Sequence, residues 1–288
     1  MNTNIDFKNF WKSLADNKKF ILATFLVFSF SGALFSIFST KLYESGTTLA
    51  PQSHGENQMS SIPSSLGSLA GFAGVDISTE VISKKDLAIQ TIKSLNFFKS
   101  LDEKYSIALP IVAAKKWDED KNLIILDKSI YDESKNLYLD KEKSSIQYAH
   151  KEFLDLVNII EYDTGVVEIT FRHLSPYLAK QILDHVIVEI NEQIRNDVIS
   201  VADTSITYLQ QESIKTNISK VLEGISALIL SEINKKTLAN SSPEYVFKII
   251  DPPFVPEKEA YPNKLLIIIL SMLLGLFFGI LASIYRSY

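Results

Sequence analysis

FILATFLVFSFSGALFSIF, residues 20–38, contains no Asp, Glu, Lys, Arg or His. LLIIILSMLLGLFFGILASI, residues 265–284, is equally free of ionisable side chains. A helix of ~20 residues rises ~30 Å, the thickness of a bilayer's hydrocarbon core. The two runs therefore read as transmembrane helices, and they decide how the rest is organised. Residues 39–264 become one domain held to a single membrane at both ends, with tails at 1–19 and 285–288. A cleaved signal peptide is the rival reading of the first run. Such peptides have an apolar region of only ~7–15 residues, and no A-x-A-like site follows Phe38. Ser29-Phe30-Ser31 mimics one, but inside the apolar run. A buried core helix is the rival reading of the second run.

Basic residues set the orientation. Lys8, Lys12, Lys18 and Lys19 precede the first run and only Lys41 follows it closely. The positive-inside rule places that side in the cytoplasm and the domain across the membrane. The second run has Lys248, Lys258 and Lys264 before it and Arg286 after it, but long loops cross regardless of charge. Both tails are expected in the cytoplasm, and both are too short for a catalytic or output domain.

The chain's formal charge is −5, but residues 39–264 hold 24 basic and 32 acidic side chains, or −8. So acidic a domain is a poor partner for nucleic acid. There is no cysteine, hence no disulfide.

Along the domain, Leu42 to Ala50 reads as a strand. Residues 51–75 are rich in Pro, Gly and Ser and read as a loop. Within them Leu66 to Val75 is apolar and glycine-rich, either a partly buried flexible loop or a surface where subunits approach closely. Residues 79–101 look helical, and 110–144 are charged and aromatic, a solvated face. Leu156 to Tyr162 and Val166 to Phe171 alternate as strands around Asp163-Thr164-Gly165, the chemistry of a β-hairpin turn. Ser175 then caps a helix with Pro176 at its first position.

Leu178, Ile182, Val186, Ile190, Ile194 and Val198 recur every four residues, and apolar spacing continues past Asp203 to Ile229. From 176 to 240 an unbroken helix would run ~90 Å. Each four-residue step overshoots a turn by ~40°, so the stripe winds and meets more than one neighbour. These six residues are therefore candidate oligomer contacts. Two helices broken near Ala202-Asp203 and packed within one chain are the alternative.

Tyr245 to Ile250 reads as a last strand, paired with the first. The segment 251–264, with Pro252, Pro253, Pro256 and Pro262, is extended and stiff, a strut before the second span. That span carries Ser271, Gly275, Gly279 and Ser283 at four-residue steps, including a GxxxG match suited to close helix packing. Ser29, Gly32, Ala33 and Ser36 offer a partner surface on the first span.

Chemistry is missing. No Gly precedes a Lys, so there is no P-loop. His54, His150, His173 and His185 lack metal-ligand spacing, and carboxylates such as Asp118 and Asp120 sit in charged loops. No catalytic, cofactor or metal site emerges, and no cofactor is expected.

Several pieces, in order between the two spans, carry a resemblance. They are the Leu66–Val75 segment, Ala113-Ala114-Lys115-Lys116-Trp117-Asp118, Ile130-Tyr131-Asp132, Ser175-Pro176-Tyr177-Leu178-Ala179-Lys180 and Glu189-Ile190-Asn191-Glu192-Gln193-Ile194-Arg195. A proline signature follows, in which Pro253, Pro256 and Pro262 hold the family's places, while Tyr261 replaces a serine and Leu265 a further proline. The chain resembles the Wzz-type polysaccharide chain-length determinants, or polysaccharide co-polymerases, of Gram-negative inner membranes. The resemblance implies an α+β periplasmic domain with a membrane-proximal mixed sheet and a very long helix, flanked by two transmembrane helices. It implies a homo-oligomer in contact with membrane lipid, a Wzy-type polymerase and the growing polysaccharide. Such a protein would set the modal length of O-antigen or a related glycan without being an enzyme, and would belong to the class without a kinase. A capsule or exopolysaccharide export-assembly component with a separate kinase is the alternative.

Overall fold

The computed structural model describes residues 17–52 and 83–287. The Leu66–Val75 segment, the start of the helix expected from 79, His54, Lys8 and Lys12 lie outside them. The chain divides into two units, one made of its two ends (to Glu44 and from Glu257) and one spanning Ser45–Pro256.

The end unit is a helix pair, α1 (Lys18–Phe38) and the last helix of the chain, α8 (Lys264–Ser287). Both are long and apolar enough to cross a membrane. Their surfaces fit that use: Leu22, Leu26, Phe30, Phe35, Leu265, Leu273 and Phe277 are all exposed, so each helix is apolar on its outer face as well as its inner one. α8 begins where the Asn263 side chain accepts from the Leu266 N–H at 3.2 Å.

The central unit is built on a four-stranded sheet. Its strands are β1 (Tyr43–Pro51), β6 (Val157–Glu161), β7 (Val167–His173) and β8 (Phe247–Asp251), in the order β6-β7-β1-β8. The expected hairpin forms β6 and β7, in antiparallel register from Val157 opposite Phe171 to Glu161 opposite Val167. Its turn needs Gly165, whose φ of +84° suits a residue without Cβ. The first and last strands pair as expected, antiparallel. Gly46 lies against Thr170 and Gly165 against Pro51, so β7 and β1 also run in opposite directions. The sheet, expected to be mixed, is antiparallel in these pairings.

The region expected as one helix to residue 101 is two, α2 (Lys84–Ile92) and α3 (Leu95–Tyr105). Ser83 and Ser94 each cap one by accepting from the N–H three residues on. A short α4 (Ala108–Ala113) leads into two small hairpins, β2 (Ala114–Asp118) with β3 (Leu123–Leu126) and β4 (Tyr131–Asp132) with β5 (Leu137–Tyr138). α5 (Ile146–Leu156) then runs directly into β6.

The long helix is shorter than 176–240. α6 (Pro176–Lys215) has 40 residues, and α7 (Ser219–Ser241) has 23. The break falls at 216–218, not near Ala202-Asp203. Thr216 leaves the helix with extended backbone, and its hydroxyl accepts from the Ile218 N–H at 3.4 Å, a local bond that competes with helix continuation. Asp203 stays inside α6 and meets Lys236 of α7 at 2.6 Å, so the two helices fold back as an antiparallel hairpin.

The core lies between one face of α6, the sheet and helices α2, α3 and α5. Phe97, Phe98, Leu101, Phe153, Ile169, Phe171, Leu183 and Phe247 are fully buried in it.

Candidate functional site

Ile182, Val186, Ile190 and Ile194 belong to this core, and Val198 packs against it. Leu178 is half-buried. These residues were candidate oligomer contacts, and for Ile182, Val186, Ile190, Ile194 and Val198 that expectation is corrected: the sheet and helices of the same chain cover them. A four-residue period signals that a helix face is buried but does not say what buries it. Apolar side chains left in solvent occur on the outer face of α6, at Tyr177, Val188 and Val201, and farther along, on the hairpin beyond Ala202. They include Tyr208, Ile218, Leu228, Leu230 and Ile233, with Ile214 at 84% exposure.

Asn191 organises the junction of α6 with β8. It is 4% exposed. Its Oδ1 accepts from the Val246 and Phe247 N–H groups at 2.8 and 2.9 Å, and its Nδ2 donates to the Ile187 and Phe247 carbonyls at 3.1 and 3.2 Å. All four hydrogen-bonding positions of the amide are thereby filled. Nearby, Lys104 bridges Glu189 at 2.9 Å and Glu192 at 2.7 Å. The bonds from Glu192 and Glu189 hold the Lys104 ammonium charged, with its pKa well above the usual lysine value.

The proline segment continues the edge of the sheet. Pro253, Pro256 and Pro262 are buried, and Pro252 is exposed. Prolines cannot donate to a strand ladder. Two buried hydroxyls of β1 tie the segment down through its carbonyls instead: Ser45 donates to the Phe254 carbonyl and Thr47 to the Asp251 carbonyl, both at 2.7 Å.

In the end unit the small residues of α8 lie against α1. A Cβ built on Gly275 would stand 2.8 Å from Phe28 Cβ and 3.0 Å from Phe25 Cα. One built on Gly279 would reach within 3.2 Å of Ile21 Cα, and one on Gly32 would overlap Ser271. Ser36 and Ser283 are buried. Phe28 and Phe278 stack at 5.7 Å. At the base, Leu42 and Tyr261 exchange backbone bonds, and Glu259 binds both Lys41, at 3.0 Å, and Lys264. Lys264 and Lys41 together depress the Glu259 pKa.

His173, placed near Ser175, is buried and serves the fold. Its Nδ1 accepts from the Ser175 N–H at 3.1 Å and its Nε2 faces the Pro110 carbonyl at 3.1 Å. These partners require the neutral Nε2–H tautomer. Burial lowers its pKa accordingly. Tyr105 stacks on His185 at 3.8 Å, and His150 meets the Lys93 carbonyl. No group of His, Asp and Glu able to hold a metal occurs among the described residues. An open hollow of about 430 Å³ along α6 is lined by Asp203, Thr204, Thr207, Tyr208 and Gln211.

Sequence reasoning missed Asn191, Ser45, Thr47 and Glu259 as organising residues. Their partners are far away in sequence, so no local signal marks them.

Comparison with known families matches residues 3–96 to Wzz, described as chain length determinant protein. Comparison with curated proteins gives no match. Among solved structures, a full-length bacterial polysaccharide co-polymerase is similar at a TM-score of 0.36 and 12% identity, covering 96% of both chains. A fragment of WzzB, polysaccharide co-polymerase from Salmonella Typhimurium, gives 0.32 and 12%, covering 77% of this chain and 100% of that one. The family match is confined to residues 3–96, the end of the chain that carries α1 and β1, and over those residues the protein is similar to the Wzz chain length determinants.

Proposed function

We propose that this protein regulates the modal length of O-antigen or a related surface polysaccharide. In this reading it is a homo-oligomeric, non-catalytic inner-membrane co-polymerase beside a Wzy-type polymerase. Both tails lie in the cytoplasm and the central unit in the periplasm. The family match to chain length determinants is the observation that carries the reading. The packed apolar helices support it, because a regulator of a membrane polymerase needs contact within the bilayer. The exposed apolar side chains of the α6–α7 hairpin support self-association, since side chains such as Ile214 and Ile218 lose water contact when copies assemble. The Gly275–Gly279 face is turned to α1 of its own chain, so subunits meet elsewhere.

The test is a gel ladder of the surface glycan from cells with and without the gene. A loss of the preferred length in the deletion, restored by the intact gene, is expected. An unchanged ladder removes the proposal.

A further inference from the structure

We propose that Trp117 and Tyr177 form a stacking platform for a saccharide chain. This rests on the reading of the protein as a glycan length regulator. The two rings come from separate parts of the chain, β2 and the first turn of α6, and meet with centroids 6.3 Å apart at 54°. Tyr177 is 50% exposed although it sits beside a packed core. The indole N–H donates to Asn122 Oδ1 at 3.0 Å. That bond fixes the ring and leaves the Asn122 amide N–H₂ at the exposed rim. Gln181, one helical turn beyond Tyr177 and exposed, adds a second amide on the same face.

Sugar rings have apolar C–H faces and hydroxylated rims. Two tilted aromatic faces edged by amides match both features. A protein partner fits less well. A stable interface needs ~800 Å² per partner, whereas an aromatic side chain buries ~150–250 Å² at most. On the Trp117 side of the hairpin the indole is bonded to Asn122, and its register partner Ile124 is half-buried, so little further apolar surface is open there. Leu123 and Ile125, the exposed apolar residues of β3, alternate with Ile124, the register partner of Trp117, and so point to the opposite side of the hairpin.

The chain has two tryptophans, Trp11 and Trp117, so Trp11→Phe leaves Trp117 as the single fluorescent reporter. The full-length variant in detergent is titrated with oligosaccharides released from the source cells' own surface polysaccharide. A saturable emission change is expected, weakened about tenfold by Tyr177→Ala and retained by Tyr177→Phe, because the ring rather than the hydroxyl provides the stacking. Gln181→Ala, on the solvent face, should weaken it independently of any folding defect in Tyr177→Ala. Emission unmoved by millimolar oligosaccharide, or a titration identical in Tyr177→Ala, overturns the proposal. So does an emission change that follows protein concentration without sugar, which would mark a contact between copies. A deletion that leaves the glycan ladder unchanged removes the length-regulator reading itself, whereas a changed ladder with a silent Trp117 removes only the platform.

Discussion

Asn191 and Phe247 are bonded in both directions. The Phe247 N–H donates to Asn191 Oδ1 at 2.9 Å, and Asn191 Nδ2 donates to the Phe247 carbonyl at 3.2 Å. The register partner of Phe247 on β1 is Pro51, which has no N–H to give. A side chain from α6 thus completes the end of a strand that its neighbouring strand cannot.

Asn191→Leu should therefore destabilise the central unit well beyond the loss of one contact. It would leave the Val246 and Phe247 N–H groups buried without their acceptor, and each orphaned group costs ~1–3 kcal/mol. A loss of about 3 kcal/mol is expected by denaturant unfolding of the full chain in detergent. A loss under ~1 kcal/mol would show that the amide is replaceable.

The helix pair offers a second test. Gly275→Leu would drive a side chain into Phe28 Cβ and the Phe25 backbone, and α1 and α8 would have to separate. The chain has no cysteine, so Phe28→Cys/Phe278→Cys can be cross-linked with a short bifunctional thiol reagent without background. The present stacking at 5.7 Å predicts an intramolecular product that Gly275→Leu abolishes. A dimeric product instead would mean that these faces pair between copies.

The sequence reveals elements whose causes are local. The 163–165 turn, the Ser175 cap with Pro176, the two apolar helices and the first and last strands as elements are all readable. Each depends on nearby residue chemistry or on apolar period. The end of α6 was not readable, because Thr216-Asn217-Ile218 contains neither Pro nor Gly and breaks the helix through a hydroxyl bond. Nor was the burial of Ile182 to Ile194, since periodicity cannot tell a fold's own core from a neighbouring subunit. The meeting of Trp117 with Tyr177 depends on two elements packing side by side after folding.

Self-association through the α6–α7 hairpin gives a third test. Ile214 lies just before the break at 216–218 and Ile218 at its end, and both bury little in their own chain. Ile214→Asp with Ile218→Asp should leave the melting temperature within ~2 °C, since exposed substitutions away from packed features usually change stability by under ~0.5 kcal/mol. It should lower the oligomer order seen by native mass spectrometry and broaden the glycan ladder. An oligomer of unaltered order would move the subunit contact off the hairpin tip.

The last test concerns acid. Buried His173 is held neutral, with a pKa lowered chiefly by burial, while in the unfolded chain it titrates near its ordinary 6.5. Above that value both states are neutral and the site contributes its full stability. As pH falls below it, the unfolded chain takes up a proton that the folded one refuses. Stability is then lost at up to ~1.4 kcal/mol per pH unit until the folded pKa is passed. His185, also lowered by burial, adds in the same direction. The depressed carboxylates Glu192 and Glu259 act only at lower pH, near and below their ordinary 4.5. His173→Gln keeps an acceptor for the Ser175 N–H and a donor for the Pro110 carbonyl but cannot titrate. Its unfolding curves between pH 7.5 and 5 should be flatter than those of the native chain, with similar stability at pH 7.5. Equal slopes in the two proteins would show that His173 does not carry the acid sensitivity.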